Sequence, residues 1–281
     1  MKLKEIHIRD PYVMVHNNVY YLYGTRGTVN QTGFDVYKSN DLKNWSEPIC
    51  VFGANLNFWG TESFWAPEMH KYKDRFYMLA TFKSPDSHRR THILVSDSPD
   101  GRFSPLTDEA VTPKEWDSLD GTLYVDKKGK PHIVFCHEWT QIGNGTVCEM
   151  ELSEDLKQAV SEPRVLWSAA DHKDVVDAVS GIESKVTDGP FLYRLKNDEL
   201  ICIWSSFNEN GYMELISRSD NGDIDGNWYI DDIPLSAQKG GHGMIFKTAD
   251  GKNIFVMHCP NDTPNERPVL IELDERKLVR S

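Results

Sequence analysis

The sequence predicts an all-β fold, a five-bladed β-propeller of four-stranded antiparallel blades, and two observations carry the prediction. Five hairpin-like segments recur at a nearly constant spacing, and a second set of turn signals, built from different residues, recurs in step with them.

The five segments read "RDPYVMVHNNVYYLYGT", "WAPEMHKYKDRFYMLATF", "LDGTLYVDKKGKPHIVFCHEW", "TDGPFLYRLKNDELICIWSSF" and "GHGMIFKTADGKNIFVMHCP". Each opens on a short polar or small residue beside Gly or Pro. It continues as an alternating strand, turns through polar residues and returns as a second strand rich in aromatics. Aligned on their first strands, they bring Asp10, Ala66, Asp120, Asp188 and His242 into one column, at intervals of 56, 54, 68 and 54 residues. The Ser/Asp/Asn/Gly clusters at Ser39, Ser96, Ser153 and Ser217 follow at intervals of 57, 57 and 64, where a third strand would turn into a fourth. Five such meanders use the whole chain, so residues 1–281 read as a single propeller, within the roughly four to eight blades usual for that architecture. Either "RPVLIELDERKLV" or "LKEIHI" is available to complete the last blade.

Composition narrows the function. The 31 Lys and Arg against 43 Asp and Glu give a net charge of −12, which repels a phosphate backbone and argues against nucleic acid. The 8 Trp, 11 Tyr and 12 Phe suit a β-rich core, or a site that stacks flat rings on a neutral ligand such as carbohydrate. "MKLKEIHIRDPYV" has no apolar signal region and no later run approaches a membrane span, so a cytoplasmic protein without membrane contact is expected. The sequons at Asn30, Asn44, Asn144 and Asn261 are accordingly expected to be unused. Five widely spaced cysteines read as buried reduced thiols.

In a propeller the first strand of each blade lines the axis, so the column forms a ring around one mouth of the channel. Three carboxylates in one cavity repel each other and lose hydration, which drives their proton affinities apart. The second strands return to the same mouth, and Arg26, Phe82, Glu138, Trp139 and Phe207 are expected on its rim, with His258 near it. "SHRRTH", residues 87 to 92, reads as a solvated basic loop.

These motifs resemble glycoside hydrolase family 43, five-bladed propellers that act on arabinose- and xylose-containing glycans, and the likeness spans the chain. "RDPYV" is similar to the first-blade motif that carries the general base, which implies Asp10. "WAPEM" is similar to the second-blade signature and makes Trp65 a substrate contact. "LDGTLYVD" implies Asp120 as the residue that tunes the acid's proton affinity. The fourth-blade motif of the family carries Glu as general acid, whereas this chain has Asp188 before Gly189-Pro190. An Asp carboxyl sits about 1.5 Å further back, so either the sugar sits deeper or another acid serves. Glu138 is the alternative, with Glu183 behind it. "GHGMIF" resembles the family's central His, which implies His242 beside a structural calcium in the channel; no other cofactor is expected.

The resemblance thus implies an inverting, exo-acting glycosidase of the α-L-arabinofuranosidase or β-xylosidase type, its partner a glycoside or oligosaccharide. The alternative is a carbohydrate-binding propeller without hydrolytic activity.

Overall fold

The computed structural model describes residues 1–27, 32–53 and 57–279, which leaves the sequon residue Asn30 outside the described residues. Five antiparallel sheets follow one another along the chain. The first blade is β1 (Ile8–His16), β2 (Val19–Arg26), β3 (Phe34–Ser39) and β4 (Ile49–Phe52). The second is β5 (Glu62–Tyr72), β6 (Arg75–Lys83), β7 (Arg90–Ser96) and β8 (Ser104–Pro105). The third is β9 (Ser118–Val125), β10 (Pro131–His137), β11 (Thr146–Glu151) and β12 (Arg164–Ser168), with the single helical turn α1 (Trp139–Ile142) between β10 and β11. The fourth is β13 (Asp188–Arg194), β14 (Leu200–Asn208), β15 (Gly211–Ser219) and β16 (Trp228–Ile230). The fifth is β17 (Gly241–Lys247), β18 (Asn253–Cys259) and β19 (Arg267–Leu273).

The first strands of neighbouring blades lie side by side around the axis, and aromatic rings from different blades meet there. Tyr12 meets Phe191 edge-on at 6.1 Å and His70 at 5.5 Å. Between the blades, side chains of facing sheets interdigitate, as in the cluster of Phe34, Phe52, Phe58, Phe64 and Phe82.

The turn clusters fall where the repeat places them. Ser39 ends β3 and its hydroxyl accepts from Leu42 N–H, while Asp41 accepts from Lys43 and Asn44 N–H. In the fourth blade the expected turn serine is displaced by two residues. Ser219 makes the turn contacts, to Asn221 and Asp223, whereas Ser217 accepts from the indole N–H of buried Trp204.

The fifth blade has three strands among the described residues, not the four expected. The segment "RPVLIEL" supplies its outer strand β19, as the sequence allows, and among the described residues no fourth strand joins it: the chain closes into 3₁₀ turns at Leu3–Glu5 and Glu275–Lys277. Asp274 caps the second turn by accepting from Arg276 N–H, and Arg267 Nε donates to Lys4 O from β19. The fifth blade is fastened to the first by Arg9–Glu266 at 2.7 Å. Cys136, Cys148 and Cys202 are buried thiols as expected, whereas Cys50 is exposed and Cys259 half-buried. Among the described residues no helix is long and apolar enough to cross a membrane.

Candidate active site

Each inner strand starts with the same distortion. A residue pairs with the second strand, the next takes a left-handed conformation, and the ladder slips before pairing resumes. The left-handed residues are Asp10 (φ 50°), Ala66 (46°), Asp120 (56°), Gly189 (50°) and His242 (50°). Such a bulge re-aims a side chain, here toward the axis, and costs about 1–3 kcal/mol of strain for a residue other than glycine.

This corrects the position of Asp188. The fourth member of the column is Gly189, and Asp188 stands one residue earlier, paired with Ser205. Its equivalents are Arg9 opposite Thr25, Trp65 opposite Thr81, Leu119 opposite Cys136 and Gly241 opposite His258. Aligning like side chains had hidden a register that backbone pairing sets. Gly189 is also required sterically, since a Cβ there would lie 2.5 Å from His242 Cδ2.

Two rings therefore line the mouth. Asp10, Asp120 and His242 come from the axial ring, and Arg9, Trp65, Leu119 and Asp188 from the wall ring one residue before it. They enclose a cavity of about 760 Å³, which Arg26, Glu138, Trp139 and Phe207 also line. Within the cavity, His242 Nδ1 lies 3.2 Å from Asp10 Oδ1 and 3.8 Å from Asp120 Oδ2. Thr25 Oγ1 donates to Asp10 Oδ2 at 2.6 Å, Gly189 N–H donates to Asp120 Oδ2 at 3.1 Å, and Tyr212 O–H donates to Asp188 Oδ2 at 2.9 Å.

The same environment pushes these groups in opposite directions. Burial opposes ionisation of Asp10, but His242, Arg9 and His258 together with the Thr25 hydrogen bond outweigh it and hold Asp10 below the usual carboxylate range. Burial and the neighbouring carboxylates push Asp120 up to about 8. Asp188 is raised as well, by burial first and by Asp10. Burial works against protonation of His242, yet the three aspartates and Glu68 raise it to about 9. At neutral pH the cavity floor holds an imidazolium, an ionised Asp10 and a proton retained by the Asp120–Asp188 pair.

Glu138 occupies a different setting. It lines the cavity at the N-terminus of α1, ion-paired to Arg89, whose guanidinium lies 4.5 Å from the centre of the Trp65 ring. Burial raises its proton affinity and Arg89 opposes that. The solvated loop expected at 87–92 is thus partly interior: Arg90 starts β7 and is buried, and Arg89 is mostly covered. Glu183 is exposed and packs over Gly143 rather than lining the cavity.

Phe82 is not on the rim. It follows Thr81 on β6, so it faces the other side of the sheet and is fully buried, 4.8 Å from Phe58 and 5.1 Å from Phe64. His258 is also fully buried, and its Nδ1 accepts from Asp10 N–H at 3.2 Å; burial lowers it to about 4, so it is neutral. Arg26 lines the cavity but is held bidentately by Asp35 at 2.7 and 2.8 Å. Trp65 is 37% exposed, the most open of the aromatic residues that line the cavity. Missing from the sequence reading were Arg9, Tyr212 and Glu214. Glu214 is a fully buried carboxyl, raised to about 8 by desolvation, that accepts from Ser205 O–H and Gly243 N–H behind His242.

Calcium takes six to eight oxygen ligands. Among the described residues no group of three or more His, Cys, Asp or Glu side chains is arranged to hold a metal ion. His242 places a positive charge within this carboxylate ring.

An endo-arabinase from Bacteroides thetaiotaomicron superposes with a TM-score of 0.91 at 37% identity, over 98% of this chain and 96% of that one. An endo-1,4-β-xylanase from the same organism superposes with a TM-score of 0.75 at 26% identity, over 96% and 95%. The extracellular endo-α-(1→5)-L-arabinanase 1 of Bacillus subtilis is 25% identical over 145 residues, 48% of this chain, and the match spans about half of that relative, 45%. The pattern of the glycosyl hydrolases family 43 matches residues 4–274, and the chain belongs to that family.

Proposed function

We propose that the protein is an inverting glycosidase that cleaves within arabinan-type chains, with Asp10 as general base and Asp188 as general acid. The observation that carries this reading is the opposite displacement of two carboxyls facing one cavity, Asp10 lowered and Asp188 raised. Such a pair marks the base and the acid. Asp10 takes a proton from the water that attacks the anomeric carbon, and Asp188 gives one to the departing glycosidic oxygen on the other face of the sugar. Asp120 stands beside the acid, and an ionised Asp188 helps to hold a proton on Asp120. Glu138 is the less suitable donor, because its guanidinium partner favours the ionised form. Trp65, Trp139 and Phe207 offer apolar surface for sugar rings.

We read the cleavage as endo rather than as the exo action that the resemblance implies. This reading is supported by the names of the relatives at 37% and 25% identity, both arabinan-cleaving and both endo. A cavity of about 760 Å³, lined from all five blades, also has room for more than one sugar ring. The test is the product distribution from linear 1,5-arabinan at early times, with xylan and aryl pentosides in parallel. A ladder of oligosaccharides is expected. Release of monosaccharide alone overturns endo action, and binding without any hydrolysis overturns the enzymatic reading in favour of a carbohydrate-binding propeller.

A further inference from the structure

In four of the five blades the left-handed residue of the inner strand donates its N–H to a side chain on the second strand of the preceding blade, three times to a hydroxyl and once to an imidazole nitrogen. Ala66 N–H donates to Thr25 Oγ1 at 2.7 Å, and Asp120 N–H to Thr81 Oγ1 at 2.9 Å. His242 N–H donates to Ser205 Oγ at 2.7 Å. Asp10 N–H closes the circle on His258 Nδ1 at 3.2 Å. All four acceptors occupy one register position, opposite Arg9, Trp65, Asp188 and Gly241.

The third blade departs from the rule. Its residue at that position, opposite Leu119, is Cys136, fully buried. A thiol is a weak acceptor, and Gly189 N–H turns instead to Asp120 Oδ2 at 3.1 Å. The first blade shows what a hydroxyl does at the equivalent place: Thr25 accepts from the backbone of the next blade and donates to Asp10 Oδ2 at 2.6 Å, standing between the two.

We infer that Cys136 is a positioning residue: by not competing for the Gly189 N–H, it lets that N–H hold the Asp120 carboxyl directly. The consequence rests on the proposed hydrolysis. Asp120 is fixed by the backbone N–H of the residue that follows Asp188, so its carboxyl is held by a peptide rather than by a rotatable hydroxyl, and its place is tied to that of the proposed acid.

The test inverts the order expected of a packing residue. Cys136→Ser and Cys136→Thr place a hydroxyl between Gly189 and Asp120, whereas Cys136→Ala leaves their bond alone. Exchanging the fixed backbone donor to Asp120 for a rotatable hydroxyl, at the scale of one hydrogen bond, corresponds to a fall in kcat of roughly 3- to 10-fold for Ser and Thr, with KM unchanged, a displaced pH–rate profile, and Ala close to the parent. Packing alone predicts the reverse, because Ala leaves a cavity and Ser does not. A second readout does not need turnover: the Gly189 amide shift, followed by NMR against pH, tracks carboxyl ionisation in the parent and in Ala but loses that response in Ser. Ala falling as far as Ser, or Gly189 titrating alike in all of them, overturns the assignment. An inactive parent protein would overturn the hydrolytic reading, while the amide titration still decides the role of Cys136.

Discussion

His242 Nδ1 stands 3.2 Å from Asp10 Oδ1 and 3.8 Å from Asp120 Oδ2, a single imidazolium serving two carboxyls with opposite proton affinities. It is the largest of the groups that keep Asp10 ionised against burial. His242→Gln removes that charge and retains a polar side chain, so Asp10 should need a higher pH to ionise. The acid limb of the pH–rate profile is expected to move up, with activity lost first at low pH. An unmoved acid limb would count against this pairing.

Asp10→Asn keeps the size of the side chain and the Thr25 contact while removing the proposed base. Turnover of natural substrate should fall by about 10²- to 10⁴-fold, with the melting temperature little changed. Residual activity above about a tenth of the parent would be too much for a missing general base.

Asp188→Asn and Glu138→Gln separate the two candidate acids. On arabinan the true acid variant should lose most activity. On an aryl arabinofuranoside with a good leaving group it should recover, because the departing oxygen no longer needs a proton. Recovery is expected for Asp188→Asn; recovery only for Glu138→Gln would reassign the acid.

Stability should depend on pH with a definite sign. His242 is raised from 6.5 to about 9, Asp120 from 3.8 to about 8 and Glu214 from 4.5 to about 8. In each case the folded protein keeps a proton that the unfolded chain releases, so each contribution is complete below the unfolded value and is lost as pH rises through the folded one. Asp10, lowered from 3.8, acts oppositely and loses its contribution as pH falls through its folded value. Melting temperature should therefore decline between about pH 6.5 and 9. A flat or rising series across that window in differential scanning calorimetry would contradict the charge states assigned to the cavity floor.

The repeat was legible because turn chemistry and the Gly or Pro beside each bulge are local, and local signals survive in a sequence. Hydrogen-bond register is not local, so the motif puts Asp188 in the column where backbone pairing puts Gly189. Phe82 and Phe207 both end second strands, yet one is core and the other lines the cavity. The alternation that separates them depends on where the strand's last pair falls. Arg89 read as solvated because its partners, Glu138 and Trp65, lie 49 and 24 residues away in sequence. Glu214 could not be read at all: a carboxyl in the alternating strand "GYMELIS" looks like a surface residue, and only the neighbouring blade makes it interior.

The left-handed ring divides by what each member does with its strain. Asp10, Asp120 and His242 spend it aiming chemistry at the cavity, and Gly189 feels none. Ala66, at φ 46° and buried, is strained without contributing a functional group, so the second blade carries the cost of a shared architecture without its use. Ala66→Gly should raise the melting temperature, by the equivalent of up to about 1 kcal/mol, and leave turnover intact. The analogous relief at Asp10 or Asp120 would trade the reaction for robustness, which makes this ring the place where durability and catalysis are set against each other, blade by blade.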